Sequence, residues 1–456
     1  MTHFPIPITR SKTPVVEPEI LSTFGKQILT VLCFSLAIPL FDIPVFGVSL
    51  SAPLIGLLML EVIFRARFPF FYQYRRAILW ALLMFLALVV VQSALTVTYA
   101  AGLISVYFQV VRYGFWILAF VVMLYVSHDI RLFDHTLRRF GLFTIGLGLL
   151  RLGEAVFFGR TGNATAELFT QNGYGIQFSI FLLYAFYAAM QQTGRTRILY
   201  FIGLSLTLFA ILINGSRSSW IGLAAGGFII GLIYVIVRPS LAARFITVIV
   251  IFIVGLVVLF QLFPERMAQT FQDRLESFNE IDSDKSFIIR ELMIQKALLM
   301  FQADPLFGAG LGQFKLTYAP LVLPDELRYQ TVEYFNRKSA HNSYMQLLGE
   351  TGLTGTVPFL AMVVVAIIFG LRAAIKLLRA GYQFAPFVYG AFIAMSIHLW
   401  SLAGLTGTAT WVAYGLVIGL VYMASRLPAS AEDREASALQ LQLNTLSVPM
   451  NPKRVR

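Results

Sequence analysis

The chain has 456 residues, of which 58% are hydrophobic and only 13% charged, with a mean hydropathy of +0.75. Soluble proteins carry roughly 25% charged residues, so this composition excludes a soluble enzyme, a disordered chain and a fibrous repeat. On a soluble domain a formal charge of +12 would hint at nucleic acid, but these basic residues stand in short segments between apolar runs and read as topology signals.

The first 26 residues are polar and contain proline, without the n-region, h-region and cleavage site of a signal peptide, so the first apolar run is expected to direct insertion itself. A membrane span needs about 20 apolar residues. Twelve runs qualify in chain order: 28–42, 45–64, 77–96, 104–126, 140–158, 176–190, 198–214, 220–237, 245–263, 353–371, 385–402 and 407–425. Only Phe41-Asp42-Ile43-Pro44 divides the first two, and Cys33 in the first has no second cysteine to pair with. The expected fold is therefore all-α, a polytopic membrane protein of about 12 transmembrane helices. Residues 1–27 form an N-terminal segment, 28–263 hold spans one to nine, 343–425 hold spans ten to twelve, and 426–456 form a disordered tail.

An even number of spans places both termini on one side. With the N-terminus inside, 22 of the 35 Lys and Arg residues fall in inner segments, against Arg160 and Arg217 in the short outer loops. The positive-inside rule then makes both termini cytoplasmic. Residues 264–342, between spans nine and ten, carry nine further Lys/Arg, and long loops cross regardless of charge. Helical patterning such as Phe287-Ile288-Ile289 to Leu298-Leu299-Met300 predicts a folded, mainly helical cap at the outer surface.

Several places are candidates for chemistry. Asn214-Gly215-Ser216-Arg217-Ser218-Ser219-Trp220 joins spans seven and eight at the outer face; a guanidinium flanked by hydroxyls and helix-end N–H groups suits phosphate, and the plain alternative is an arginine snorkelling from a polar turn. Arg290 belongs to a loop helix, where a solvated face is the commoner reading. Asp282-Ser283-Asp284 resembles a metal–diphosphate motif but reads better as a helix N-cap region, and Asp304-Pro305-Leu306-Phe307-Gly308-Ala309-Gly310-Leu311-Gly312, with no strand before it, reads as a tight turn beside a site and not as a dinucleotide loop. No metal or cofactor is expected. His341 opens His341-Asn342-Ser343-Tyr344; it is either a helix cap or, beside Arg337 and Lys338, an imidazole kept neutral for general-base work. Among ionisable residues inside spans, Arg112, Arg151 with Glu154 one turn on, and His398 all fall toward the outer side.

The stretch His341-Asn342-Ser343-Tyr344 with Glu350-Thr351-Gly352-Leu353-Thr354-Gly355, the glycine-rich turn before it, and Gly215-Ser216-Arg217-Ser218 together resemble, in order, the motifs of the O-antigen ligase and O-antigen polymerase superfamily. That resemblance implies a GT-C-type membrane glycosyltransferase of the bacterial inner membrane, acting at the periplasmic face on a glycan carried by undecaprenyl diphosphate. It implies that Arg217 and Arg290, with Ser216 and Ser218, bind the diphosphate and that His341 activates the acceptor. Arg112, Arg151, Arg337, Lys338, Asn342 and Tyr344 would support them. The acceptor expected is lipid A-core; a second donor chain, as in a polymerase, or a pilin are the alternatives. A flippase of lipid-linked glycan would also need many spans and buried cations, but it would commonly show an internal repeat, and none is evident.

Overall fold

The computed structural model describes residues 20–38, 51–65, 103–158, 171–262, 285–402, 404–405 and 407–427, and among these only helices, turns and irregular chain occur, with no strand. The helices in chain order are α1 (Thr23–Ala37), α2 (Ser51–Arg65), α3 (Leu103–Val126), α4 (Ile130–Phe158), α5 (Gln171–Gln191), α6 (Gly194–Asn214), α7 (Arg217–Val237), α8 (Pro239–Leu262), α9 (Lys285–Ala303), α10 (Val332–Asn336), α11 (Ser343–Arg379), α12 (Ala385–His398) and α13 (Thr408–Arg426). The expected span at 77–96, Asp282 and Asp284, and the terminal segments 1–19 and 428–456 lie outside the described residues. Each of the other eleven expected spans overlaps a described helix, although 39–42, 45–50 and 263 lie outside the described residues. Five helices have the length and apolar composition to cross a membrane: Ile130–Phe157, Gly194–Asn214, Arg217–Val237, Ser343–Arg379 and Thr408–Arg426.

Helix ends follow local chemistry. Ser22 caps α1 by accepting from the Gly25 N–H at 2.9 Å, and Asp129 opens α4 by accepting from the N–H groups of Arg131 and Leu132 at 2.9 and 3.1 Å. Gly215 closes α6 in the left-handed region, φ 70°. Pro239 starts α8, where its missing N–H costs nothing.

The α12 helix is central and packs on α7, α5, α11 and α13, while α13 runs along α3. Its contact with α7 is made by small residues. A Cβ placed on Gly222 would lie 2.6 Å from the Ala394 carbonyl oxygen, and one on Gly226 would lie 2.5 Å from that of Gly390. Such close backbone approach is how helices pack where lipid supplies no hydrophobic drive. It seats the start of α7 beside the end of α12. Outward, α7 and α8 expose Phe228, Val235, Ile236, Ile246 and Ile253, an apolar surface suited to lipid.

The segment from α9 to Ala340 has its own core of Ile288, Leu292, Met293, Ala297, Phe314, Leu321, Leu327 and Phe335. Within it Lys296 is fully buried, donating to the Asn336 carbonyl at 2.5 Å and lying 4.8 Å from the Phe314 ring centroid. Burial pushes its ammonium down to about 8, opposed by the charge of Glu350.

Candidate active site

The α11 helix breaks at Gly352, φ 56° and ψ −154°, so that Ser343–Thr351 belongs with the α9–α10 segment and the rest continues as a long apolar rod. The break frees backbone groups on both sides, and the glycine-rich turn takes them up. The N–H groups of Ala309 and Gly310 donate to the carbonyls of Gly349 and Glu350 at 3.0 and 2.8 Å, and the carbonyls of Pro305 and Leu306 accept from Leu353 and Thr354 at 2.9 and 3.1 Å. The buried Glu350 carboxylate completes the clasp by accepting from the N–H groups of Gly312 and Phe314 at 2.9 and 3.0 Å and from Gln346 at 3.0 Å. Gly308 at φ 68° and Gly352 must be glycines here: a Cβ on Gly352 would lie 2.5 Å from Leu306 backbone atoms, and one on Gly308 would lie 2.6 Å from the Glu350 carbonyl carbon. Gly352→Ala is therefore expected to lose on the order of 1–3 kcal/mol from backbone strain alone, read as a lower thermal midpoint in detergent.

At the head of α11, Asn342 is the cap, its Oδ1 accepting from the N–H groups of Tyr344 and Met345 at 3.1 and 3.0 Å. This corrects the reading of His341 as cap and gives Asn342 a structural task. Ser343 ties the same point to the loop before α13, accepting from the Gly404 N–H at 2.8 Å and donating to the Leu402 carbonyl. Tyr344 donates to the Ser396 carbonyl at 3.0 Å, fixing α11 on α12.

His341 stands one residue before the cap at φ 51°, the one non-glycine residue at positive φ among those described. Its ring makes no hydrogen bond among the described residues and is half-buried. Burial first, then the charges of Arg290, Lys338 and Lys315, hold its imidazole below the ordinary value. The surroundings thus keep it neutral, although their composition differs from expectation. Arg337 is exposed and paired with Glu333 at 2.6 Å, and Lys338, itself over the Tyr334 ring at 4.3 Å, acts together with Arg290 and Lys315, which are distant in sequence.

Arg290 also lies within electrostatic range of His398, the last residue of α12. The His398 Nδ1 is 3.3 Å from Ser179 Oγ and 3.4 Å from Ser219 Oγ, two residues beyond Arg217 in the first turn of α7. The ends of α7, α9, α11 and α12 are thereby gathered at the end of the bundle covered by the α9–α10 segment. Ser216 is the N-cap residue of α7 and is buried, whereas Arg217 and Ser218 are half-buried. Arg151 is fully buried: its Nε donates to Asn214 at 3.3 Å, it pairs with Glu154 at 3.3 Å, and its guanidinium carbon lies 5.4 Å from the Tyr174 ring centroid. Tyr174 donates to the same Glu154 oxygen at 3.0 Å. Arg151 thus braces the turn that carries Arg217. The side chain of Arg112, on α3, lies outside the described residues. No group of three or more His, Cys, Asp or Glu side chains that could hold a metal occurs among the described residues.

Residues 202–360 match the family described as O-antigen ligase. The chain carries an O-antigen ligase domain. That domain spans about a third of the sequence, from within α6 through α7, α8, the α9–α10 segment and the kink of α11, and so includes Arg217, Arg290 and His341. No curated protein matches the chain. With its long apolar helices, the O-antigen ligase domain identifies a membrane protein, an O-antigen ligase-like membrane enzyme. His398 lies beyond the matched segment, and the sequence marks it only as an ionisable residue near the outer end of an apolar run, without naming its partners.

Proposed function

We propose that this enzyme transfers a glycan from undecaprenyl diphosphate to lipid A-core at the periplasmic face of a bacterial inner membrane, with both termini cytoplasmic. The acceptor hydroxyl gives its proton to His341 as its oxygen attacks the anomeric carbon. The bond from that carbon to the diphosphate oxygen breaks, and undecaprenyl diphosphate leaves. Arg217 and Arg290, with the Ser216 and Ser218 hydroxyls, stabilise the charge that develops on the leaving group; preorganised donors in a partly dry site do this without a metal. The observation that supports the reading is that Arg290 stands within electrostatic range of both His341 and His398, and His398 Nδ1 lies 3.4 Å from Ser219 Oγ in the first turn of α7, two residues beyond Arg217.

An apolar groove supports the lipid part of the donor. A cavity of about 600 Å³ opens between α5, α6, α7 and α8, lined by Leu183, Phe186, Leu223, Phe228, Phe245 and Ile249 among others. It begins at Leu223, six residues after Arg217, and follows α7 to Val235, roughly 18 Å at 1.5 Å per residue. A diphosphate at the start of α7 would have its leading isoprene units there.

The test is purified protein with a lipid-linked glycan donor, offered lipid A-core or a second donor molecule. Product on lipid A-core is the expected result; longer chains on the carrier would make the enzyme a polymerase. Transfer is expected to survive EDTA, and a loss restored by Mg²⁺ would bring Asp282 and Asp284 back as ligands.

A further inference from the structure

The segment from α9 to Ala340 is packed around an ammonium group. Lys296 is fully buried there, beside a cluster of apolar side chains. A methionine or leucine would fill similar space without taking a charge out of water, so the reason for a lysine lies in what its bonds fix. Its Nζ donates to the Asn336 carbonyl at 2.5 Å. Asn336 is the last residue of α10, where the helix supplies no further partner for that carbonyl. The side chain of the same asparagine holds Ala319 twice, accepting from its N–H at 2.9 Å and donating to its carbonyl at 3.0 Å. The Lys296 Nζ also lies 4.8 Å from the centroid of the Phe314 ring, and the Phe314 N–H is held by Glu350, the acidic group whose charge acts on Lys296. Apolar burial has no direction and lets helices slide, whereas these bonds set one register between α9, the stretch 314–319 and α10.

Each of the three elements that meet at Lys296 carries one of the cations around His341. Arg290 precedes Lys296 by six residues on α9, about 9 Å along the axis at 1.5 Å per residue. Lys315 directly follows Phe314 and stands in a turn, outside any helix. Lys338 comes two residues after Asn336, just past the end of α10. The charges that act on His341 are those of Arg290, Lys338 and Lys315.

We propose that Lys296 is a positioning residue: by joining α9, the stretch after the glycine-rich turn and α10 at one buried point, it fixes where Arg290, Lys315 and Lys338 stand around His341. Its consequence for transfer rests on the reading of His341 and Arg290 given above; the placement of the cations does not.

The experiment follows the titration of His341 by NMR in the full chain, labelled with ¹³C at histidine and held in detergent micelles. Among the five histidines, the His341 signal is the one missing from His341→Asn. Two variants remove the Lys296 charge alike but differ in its bond: Lys296→Gln keeps an N–H donor for the Asn336 carbonyl, and Lys296→Met keeps the length with no donor. In Lys296→Met the cations are released, and the His341 midpoint should rise from its depressed wild-type position toward the ordinary histidine value, the direction expected of Arg290→Ala. In Lys296→Gln it should stay near wild type. Transfer should fall about tenfold or more in the Met variant and by no more than about twofold in the Gln variant, since misplacement by about 1 Å can cost about 100-fold. The thermal midpoint of Lys296→Met should remain within a few degrees of wild type, because losing the carbonyl's partner is offset by no longer desolvating an ammonium. Equal rises in the Gln and Met variants would mean that Lys296 acts by its charge alone. An unmoved His341 midpoint in Lys296→Met, or collapse of that variant's fold, would make it an ordinary core residue. Each of these results overturns the proposal. Failure of the base reading looks different: His341→Asn then transfers like wild type while the titrations still separate Met from Gln, which removes the base and leaves the placement by Lys296 standing.

Discussion

His341→Asn should fold as well as wild type and transfer almost nothing. The left-handed backbone at φ 51° is one that Asn adopts more readily than His, and the capping bonds of α11 come from Asn342, so neither strain nor a lost cap follows the substitution. What disappears is the imidazole. General-base catalysis typically contributes 10²–10⁴-fold, roughly 3–5 kcal/mol, and the fall in kcat should lie in that range with donor binding unchanged. An active His341→Asn variant would remove the base assignment outright. In the wild-type enzyme the neutral imidazole is the working form, so activity is present above its pKa and lost as pH falls through it. Burial and the Arg290, Lys338 and Lys315 charges set that midpoint below the ordinary histidine value in free enzyme. A bound diphosphate moves it upward, so the acid limb of kcat should lie at higher pH than that of kcat/KM.

Removing Arg290 should cost donor affinity and alter the histidine as well. Hydrogen bonds to charged groups are worth about 1.5–3 kcal/mol, so Arg290→Ala or Arg217→Ala should weaken binding of undecaprenyl diphosphate roughly 10- to 100-fold. Because the Arg290 charge lowers the His341 pKa, its loss raises that pKa, and the acid limb of the remaining activity should move to higher pH in Arg290→Ala. Arg290→Lys separates the two effects. It keeps a positive charge near His341, so the acid limb should hardly move, but it lacks the planar fork and should still transfer poorly. Arg217→Ala, at the start of α7, is expected to lose binding with no comparable pH displacement. Donor binding indifferent to both alanine variants would sink the diphosphate assignment.

Apolar runs and breakers are local properties, and they determined the helices of this chain before any packing was known. The runs at 104–126, 198–214 and 220–237 coincide closely with α3, α6 and α7, because a bilayer-length apolar stretch must satisfy its own backbone. The glycine-rich turn at 304–312 and Gly215 were legible for a similar reason: positive φ and close approach leave glycine as the residue that fits.

Partnership was decided elsewhere. Asn342 takes the cap and leaves His341 in a strained pose, a choice between neighbours that residue type alone does not make. Arg337, adjacent to the histidine region in sequence, turns to Glu333, and Lys315 and Arg290 supply charge in its place, since side-chain direction depends on how α9, α10 and the turn between them share one core. His398 meets Ser219 across 179 residues of sequence because Gly222 and Gly226 let α7 lie against α12 backbone to backbone. Periodicity and composition act over a few turns of one helix, whereas that contact is set by which small-residue faces find each other when the helices pack.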